Sequence, residues 1–114
     1  MLLIFGYRDI GGMTMRTREM GYDDYGFGFG EEKRLKEFCQ SPEFPEGFLL
    51  LESAMKVNAN IGNDLYYSIT SGVSYDKLAN IKYILISRPD FYGYQRKTLA
   101  IFRAALIECG RYPF

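Results

Sequence analysis

The chain of 114 residues contains no histidine. This absence excludes Ser-His and Cys-His nucleophile pairs and every histidine-based metal site. The only adjacent acid pairs, Asp23-Asp24 and Glu31-Glu32, lie in or beside a glycine-rich stretch, where carboxylates are more often solvated than poised for chemistry. We therefore expect no enzymatic activity, no cofactor and no bound metal.

Net charge is also absent, because 14 basic residues balance 14 acidic residues. A neutral chain is not expected to coat nucleic acid without sequence preference. The balance conceals an asymmetry, since residues 19–52 carry a net charge of −6 and residues 82–114 carry +4. The basic C-terminal part allows a specific contact with phosphates, although two solvated faces of opposite sign would explain the pattern equally well.

Cysteine and long apolar runs are scarce. Cys39 and Cys109 lie far apart and outside any CxxC motif, so we expect both to be reduced, buried thiols. The apolar start Met1–Phe5 is too short for a signal peptide or a membrane span. These features predict a soluble cytoplasmic protein without a membrane-bound segment.

Aromatic residues and glycine are abundant, with 10 Tyr, 9 Phe and 12 Gly. Glycine concentrates in residues 1–30, which we interpret as a Gly/aromatic-rich arm preceding a helical domain of residues 31–114. The tyrosines suit wet interfaces with protein or nucleic acid. We expect the aromatic side chains of the arm to dock on the helical domain or on a neighbouring subunit.

After the arm the pattern predicts a mainly α fold with about five helices. In the second helix Phe48, Leu51, Met55 and Ala59 fall in line. Because Leu49, Leu50, Ala54 and Val57 widen the apolar surface, we expect this helix to be central and largely buried. The connection between the last two helices is predicted to be an extended turn or a helix continuation. The predicted helices span residues 31–39, 48–59, 64–70, 75–80 and 88–109.

The last helix begins with a strong start signal, in which Ser87 is the cap and Pro89 lies in the first turn. One face along its length, with Phe91, Thr98 and Phe102, is expected to belong to the core. Its front half carries cations and tyrosine. Five side chains are candidates for DNA contacts: Arg88, Tyr92, Arg96, Lys97 and Arg103. Gly93 lies among them, and it could either allow close backbone approach to a partner or relieve crowding between aromatic rings.

Residues 64–109 suggest a helix-turn-helix-like arrangement, although the connection 81–86 is longer than the usual ~3–4 residues. Three segments carry a resemblance: Leu65-Tyr66-Tyr67-Ser68-Ile69, Gly72-Val73-Ser74-Tyr75-Asp76-Lys77-Leu78, and Ser87-Arg88-Pro89-Asp90-Phe91-Tyr92-Gly93-Tyr94-Gln95-Arg96-Lys97. They resemble the C-terminal part of small phage and prophage proteins of Gram-positive bacteria, including ArpU/RinA-type late-gene regulators. The resemblance implies a sigma-like helix-turn-helix that reads a promoter.

Two functions of different class follow from the sequence. The first is a DNA-binding regulatory protein of phage or mobile-element origin, whose helix from Arg88 binds double-stranded DNA. The alternative is a small helical modulator or inhibitor that binds a protein through the acidic and aromatic residues 19–52, without binding DNA. A homodimer is compatible with both functions.

Overall fold

A computed structural model describes residues 9–10, 13–14 and 16–114 of the protein. Within this part the predicted mainly helical fold is confirmed, with five α-helices. The bounds of the first helix agree with the prediction, and the ends of the others differ by at most two residues. None of these helices is long and apolar enough to span a membrane. The helices are α1 (Glu31–Cys39), α2 (Gly47–Val57), α3 (Gly62–Ser71), α4 (Tyr75–Ile81) and α5 (Arg88–Glu108).

Local sequence signals explain where the helices begin and end. The Ser74 hydroxyl caps α4 by accepting a hydrogen bond from the Lys77 N–H at 3.2 Å. Ser87 caps α5 in the same way, with Pro89 in the first turn. At the end of α3, Gly72 adopts φ +76°, a left-handed conformation that glycine reaches without steric cost. The two predicted serine caps are confirmed.

The N-terminal segment has little regular structure. Two strands of two residues pair antiparallel, β1 (Asp9–Ile10) with β2 (Met13–Thr14). Two short 3₁₀ helices follow, Thr17–Glu19 and Asp23–Tyr25. The parts of the predicted arm at residues 1–8, 11, 12 and 15 lie outside the described residues.

Helix α5 lies at the centre of the fold and contacts α2, α3 and the first 3₁₀ helix. Its buried side chains join two apolar clusters. One cluster surrounds Phe102 and includes Phe27, so this part of the predicted arm packs on the helical domain. The other surrounds Phe91 and includes Ile84 from the α4–α5 connection. The fully buried side chains of α5 are Phe91, Thr98, Leu99, Phe102 and Leu106.

Two burial predictions were wrong. In α2 Phe48 and Met55 are turned outward, being 76% and 40% exposed, whereas Leu50 and Ala54 are fully buried as expected. This helix is apolar on most sides, so its periodicity alone could not select the buried face. The thiol of Cys109 is exposed because its helix ends there, whereas Cys39 is buried as predicted.

Candidate functional site

All five candidate DNA-contact residues lie on α5, but most of them bind other parts of the same chain. Arg96 is the clearest example. Its guanidinium donates from Nε to the Met20 carbonyl at 2.7 Å and from a terminal nitrogen to the Arg18 carbonyl at 3.1 Å. Arg96 therefore fastens the N-terminal segment to the front half of α5.

Gly93 explains how that segment comes so close. A Cβ atom at this position would lie 2.8 Å from the Arg18 Cα, closer than Cβ atoms pack, and 3.2 Å from the Thr17 carbonyl oxygen, which is also a tight contact. The missing side chain thus admits the backbone of the first 3₁₀ helix onto α5. Of the two explanations considered for Gly93, close backbone approach agrees with the structure. The approaching backbone belongs to the protein's own segment.

Arg103 lies at the centre of a second internal contact. Its Nε donates to a Glu31 carboxylate oxygen at 2.6 Å, and its guanidinium lies over the rings of Phe27 and Tyr112, 5.1 and 5.6 Å from their centroids. Glu31 also accepts hydrogen bonds from the Gly28 N–H and the Tyr112 hydroxyl. Arg103 therefore ties α5 to the start of α1 and to the C-terminal residues.

The pKa of Glu31 reflects these partners. Burial acts to raise the pKa, but the hydrogen bonds from Arg103 and Gly28, with the charges of Arg103 and Arg34, lower it below the ordinary value of 4.5. A carboxyl whose pKa is lower in the folded state stabilises the fold above the unfolded-state pKa. That stabilisation is lost as the pH falls through the folded-state value.

We therefore expect the Glu31 contribution to the free energy of unfolding to vanish in acid. Urea unfolding between roughly pH 7 and pH 3 measures it in the natural chain and in the Glu31→Gln variant, which has no titratable group there. The natural chain should be the more stable at neutral pH, and the difference should shrink as the pH falls below about 4.5. A difference that is constant with pH would contradict this account.

Tyr92 and Arg88 also have partners in the chain. The Tyr92 hydroxyl oxygen accepts a hydrogen bond from the Tyr75 N–H at 3.0 Å, which joins the start of α5 to the start of α4. Arg88 pairs with Asp76 at 3.1 Å, and both side chains are more than half exposed. Such a pair contributes little stability, and Arg88 could exchange this partner for another anion.

Lys97 differs from the other four because its side chain makes neither a hydrogen bond nor an ion pair with a described residue. It is partly buried, and burial lowers its pKa. The five candidates thus do not form one basic surface: Arg96 and Arg103 are engaged in the fold, Tyr92 is partly engaged, and Arg88 and Lys97 remain accessible.

The predicted acidic and aromatic surface of residues 19–52 is also partly internal. Phe27, Glu31 and Glu46 are buried. The hydroxyls of Tyr22 and Tyr25 are buried without a hydrogen-bond partner among the described residues, and burial raises the pKa of Tyr25 to about 12. In the part of the chain that the structure describes, no group of His, Cys, Asp and Glu residues could hold a metal ion.

Sequence reasoning missed an exposed apolar feature between α4 and α5. Ile81, Tyr83 and Leu85 are 74%, 82% and 67% exposed, and we call these three side chains the apolar ridge. Ile84 between them is buried. Residues 81–86 are apolar at every position except Lys82, so the sequence carries no alternation that could have shown which of these side chains are exposed.

Three contacts hold the connection that carries the apolar ridge in place. The Lys82 ammonium pairs with Asp64 at 2.8 Å, and the Tyr75 hydroxyl donates to the Ile86 carbonyl at 2.6 Å. Ile84 packs into the cluster around Phe91. The connection is therefore fixed at its beginning, middle and end, and its exposed side chains are presented by an ordered segment.

The chain has no significant match among protein-family models, curated proteins or solved structures. The resemblance to phage late-gene regulators, with its helix-turn-helix and promoter binding, stays a prediction.

Proposed function

We propose that the protein is a protein-binding factor whose apolar ridge inserts into a groove of another protein. The exposure of Ile81, Tyr83 and Leu85 carries the proposal. Single exposed apolar residues are ordinary, but contiguous ones mark interaction surfaces. Burying each such side chain contributes about 1.5–3 kcal/mol, so three of them supply a useful share of a binding free energy.

The shape of the apolar ridge defines the partner. Ile81, Tyr83 and Leu85 follow one another at every second position, and Lys82 between the first two has extended backbone angles. Ile81 is the last residue of α4, and Tyr83 and Leu85 lie in the connection that follows it. The matching surface is a concave apolar groove that accepts these three side chains. Because Lys82 is already paired with Asp64, the interaction requires little charge on the partner.

The contacts that α5 makes within the chain favour protein binding over DNA binding. Arg96 and Arg103 hold the fold together, and the 3₁₀ helix Thr17–Glu19 covers α5 at Gly93. A major-groove contact at that point of α5 would require the N-terminal segment to leave. DNA binding through Arg88, Tyr92, Arg96, Lys97 and Arg103 therefore stays a prediction that the experiment below also tests.

The test begins with a photo-reactive amino acid in place of Tyr83, in full-length protein made in its natural cells. The crosslinked partner is then purified and titrated with the natural chain and with the Tyr83→Ala and Leu85→Ala variants. We expect each variant to weaken binding by about 2 kcal/mol, or ~30-fold, as for a central interface residue. The matched control is Phe48→Ala, which removes an aromatic ring of similar exposure from α2.

Three results would overturn the proposal. The first is a partner bound equally well by the natural chain and the Tyr83→Ala variant. The second is self-association, measured by analytical ultracentrifugation and abolished by Tyr83→Ala, which would make a second copy the occupant. The third is a salt-dependent shift of duplex DNA that Arg96→Ala with Lys97→Ala abolishes, in a protein whose unfolding midpoint is unchanged.

A further inference from the structure

A polar cavity lies between α1, α3 and α5. Its volume is about 200 Å³. The polar side chains that line it are one ammonium, two amides, two serine hydroxyls and one phenol, and no carboxylate is among them. These side chains belong to Lys36, Gln40, Ser68, Ser74, Tyr92 and Gln95.

Gln95 lines the cavity with a polar side chain that a hydrogen bond holds in place. It is only 6% exposed, and its Nε2 donates to the Ser68 hydroxyl at 3.2 Å. Ser68 in turn donates to the Val73 carbonyl at 2.6 Å. A primary amide has two N–H donors and a carbonyl oxygen, so this bond leaves Gln95 with further hydrogen-bonding capacity. A ligand bound in the cavity would use this remaining capacity.

Lys36 supplies the charge. Its ammonium lies 5.4 Å from the centroid of the Tyr22 ring and forms no ion pair with a described residue. Burial and the charge of Arg96 lower the pKa of Lys36, and the charge of Glu32 only partly opposes them. A partly desolvated cation without a carboxylate partner is costly, and an anion bound in the cavity would offset that cost.

We propose that this cavity binds a small organic monoanion through its carboxylate, with Lys36 as the counter-ion and the amides of Gln40 and Gln95 as hydrogen-bonding groups. The volume is below the ~300–1,000 Å³ of pockets that take drug-sized ligands, so nucleotides are too large. One ammonium among neutral groups matches a single negative charge better than the two charges of a phosphate.

The experiment titrates full-length protein with sodium acetate, inorganic phosphate and acetamide while NMR follows the side-chain amides of Gln40 and Gln95. Acetate should give saturable shifts of both amides, whereas acetamide, its neutral counterpart, should not. Absence of a saturable shift with acetate, or equal shifts with acetamide, would overturn the proposal. Tighter binding of phosphate than of acetate would overturn the assignment to a carboxylate.

Variants test the role of Lys36. Lys36→Met should weaken acetate binding about tenfold or more, because a hydrogen bond to a charged group is lost. Lys36→Arg should retain binding, and Lys33→Met, at an exposed position of the same helix, should not change it. If Lys36→Met lowers the unfolding midpoint, Gln40→Leu is the second variant, and it should weaken binding in a folded protein. Acetate binding that is unchanged in both variants would refute the site.

Discussion

Replacing Arg103 by methionine is expected to destabilise the fold by about 3–5 kcal/mol, because the buried Glu31 carboxylate then loses its counter-ion. Methionine retains most of the apolar stem, so the loss reports the charge and its hydrogen bond. The Gly28 N–H and the Tyr112 hydroxyl still bind the carboxylate, which places the effect near the lower end of the range. Urea unfolding at neutral pH measures it.

A double-mutant cycle separates the ion pair from the packing of the arginine stem. Arg103→Met should cost much less in a Glu31→Gln background than in the natural chain, because a neutral amide needs no counter-ion. Arg88→Met is the matched control. Its pair with Asp76 is 60% and 65% exposed, so its removal should cost at most about 1 kcal/mol. Equal losses in the free energy of unfolding for Arg103→Met and Arg88→Met would show that the buried pair with Glu31 contributes no more stability than an exposed pair.

The result also bears on the choice between the two functions. If Arg103 served only as a DNA contact, its replacement would weaken DNA binding and leave the free energy of unfolding nearly unchanged. The contacts with Glu31, Phe27 and Tyr112 predict the opposite. Any loss of DNA binding in an Arg103 variant must therefore be compared at temperatures where both proteins are folded.

The helices could be predicted from the sequence because their signals are local. Ser87 and Pro89 mark the start of α5 within one turn of chain, and Ser74 does the same for α4. The core face of α5 also follows from its period, since Phe91, Thr98 and Phe102 are fully buried as expected. Glycine at position 93 destabilises a helix by roughly 1 kcal/mol relative to alanine. This cost is the local signal that another part of the chain approaches the helix closely there.

The site could not be predicted to the same extent because its contacts join distant parts of the chain. Arg96 binds the carbonyls of Met20 and Arg18, more than 70 residues away, and Arg103 binds Glu31 across a similar separation. A cation on a helix looks the same in sequence whether it faces solvent, DNA or a buried carboxylate. Only the fold shows which cations are already engaged.

The burial of α2 illustrates a different limit. Its residues Phe48–Leu51 are all apolar, so several faces have similar hydrophobicity. The neighbours choose among them: α3 and α5 pack on the side of Leu50 and Ala54 and leave Phe48 outside. The apolar ridge was overlooked for a related reason, because residues 83–86 are all apolar and the sequence does not show which of them face outward.

Gly93→Ala is expected to destabilise the protein by about 1–3 kcal/mol, the usual cost of forcing an atom into filled space. Helix propensity alone predicts the opposite, a gain of about 1 kcal/mol for alanine in a helix interior. The new Cβ would lie 2.8 Å from the Arg18 Cα and 3.1 Å from its backbone nitrogen. Backbone atoms cannot rotate away as the end of a side chain can, so the segment must move off α5.

Two measurements separate these outcomes. Urea unfolding gives the sign of the change, and Ala104→Gly, at a partly exposed position of the same helix, gives the scale of helix propensity in this protein. Trypsin cleavage after Arg16 and Arg18 reports whether the segment has left α5, and it should be faster in Gly93→Ala. Arg96→Met removes the two hydrogen bonds to the same segment and should accelerate the same cleavages. A stabilised Gly93→Ala protein with unchanged cleavage would mean that the segment does not rest on α5 in solution, and the front of this helix would then be open to a partner such as DNA.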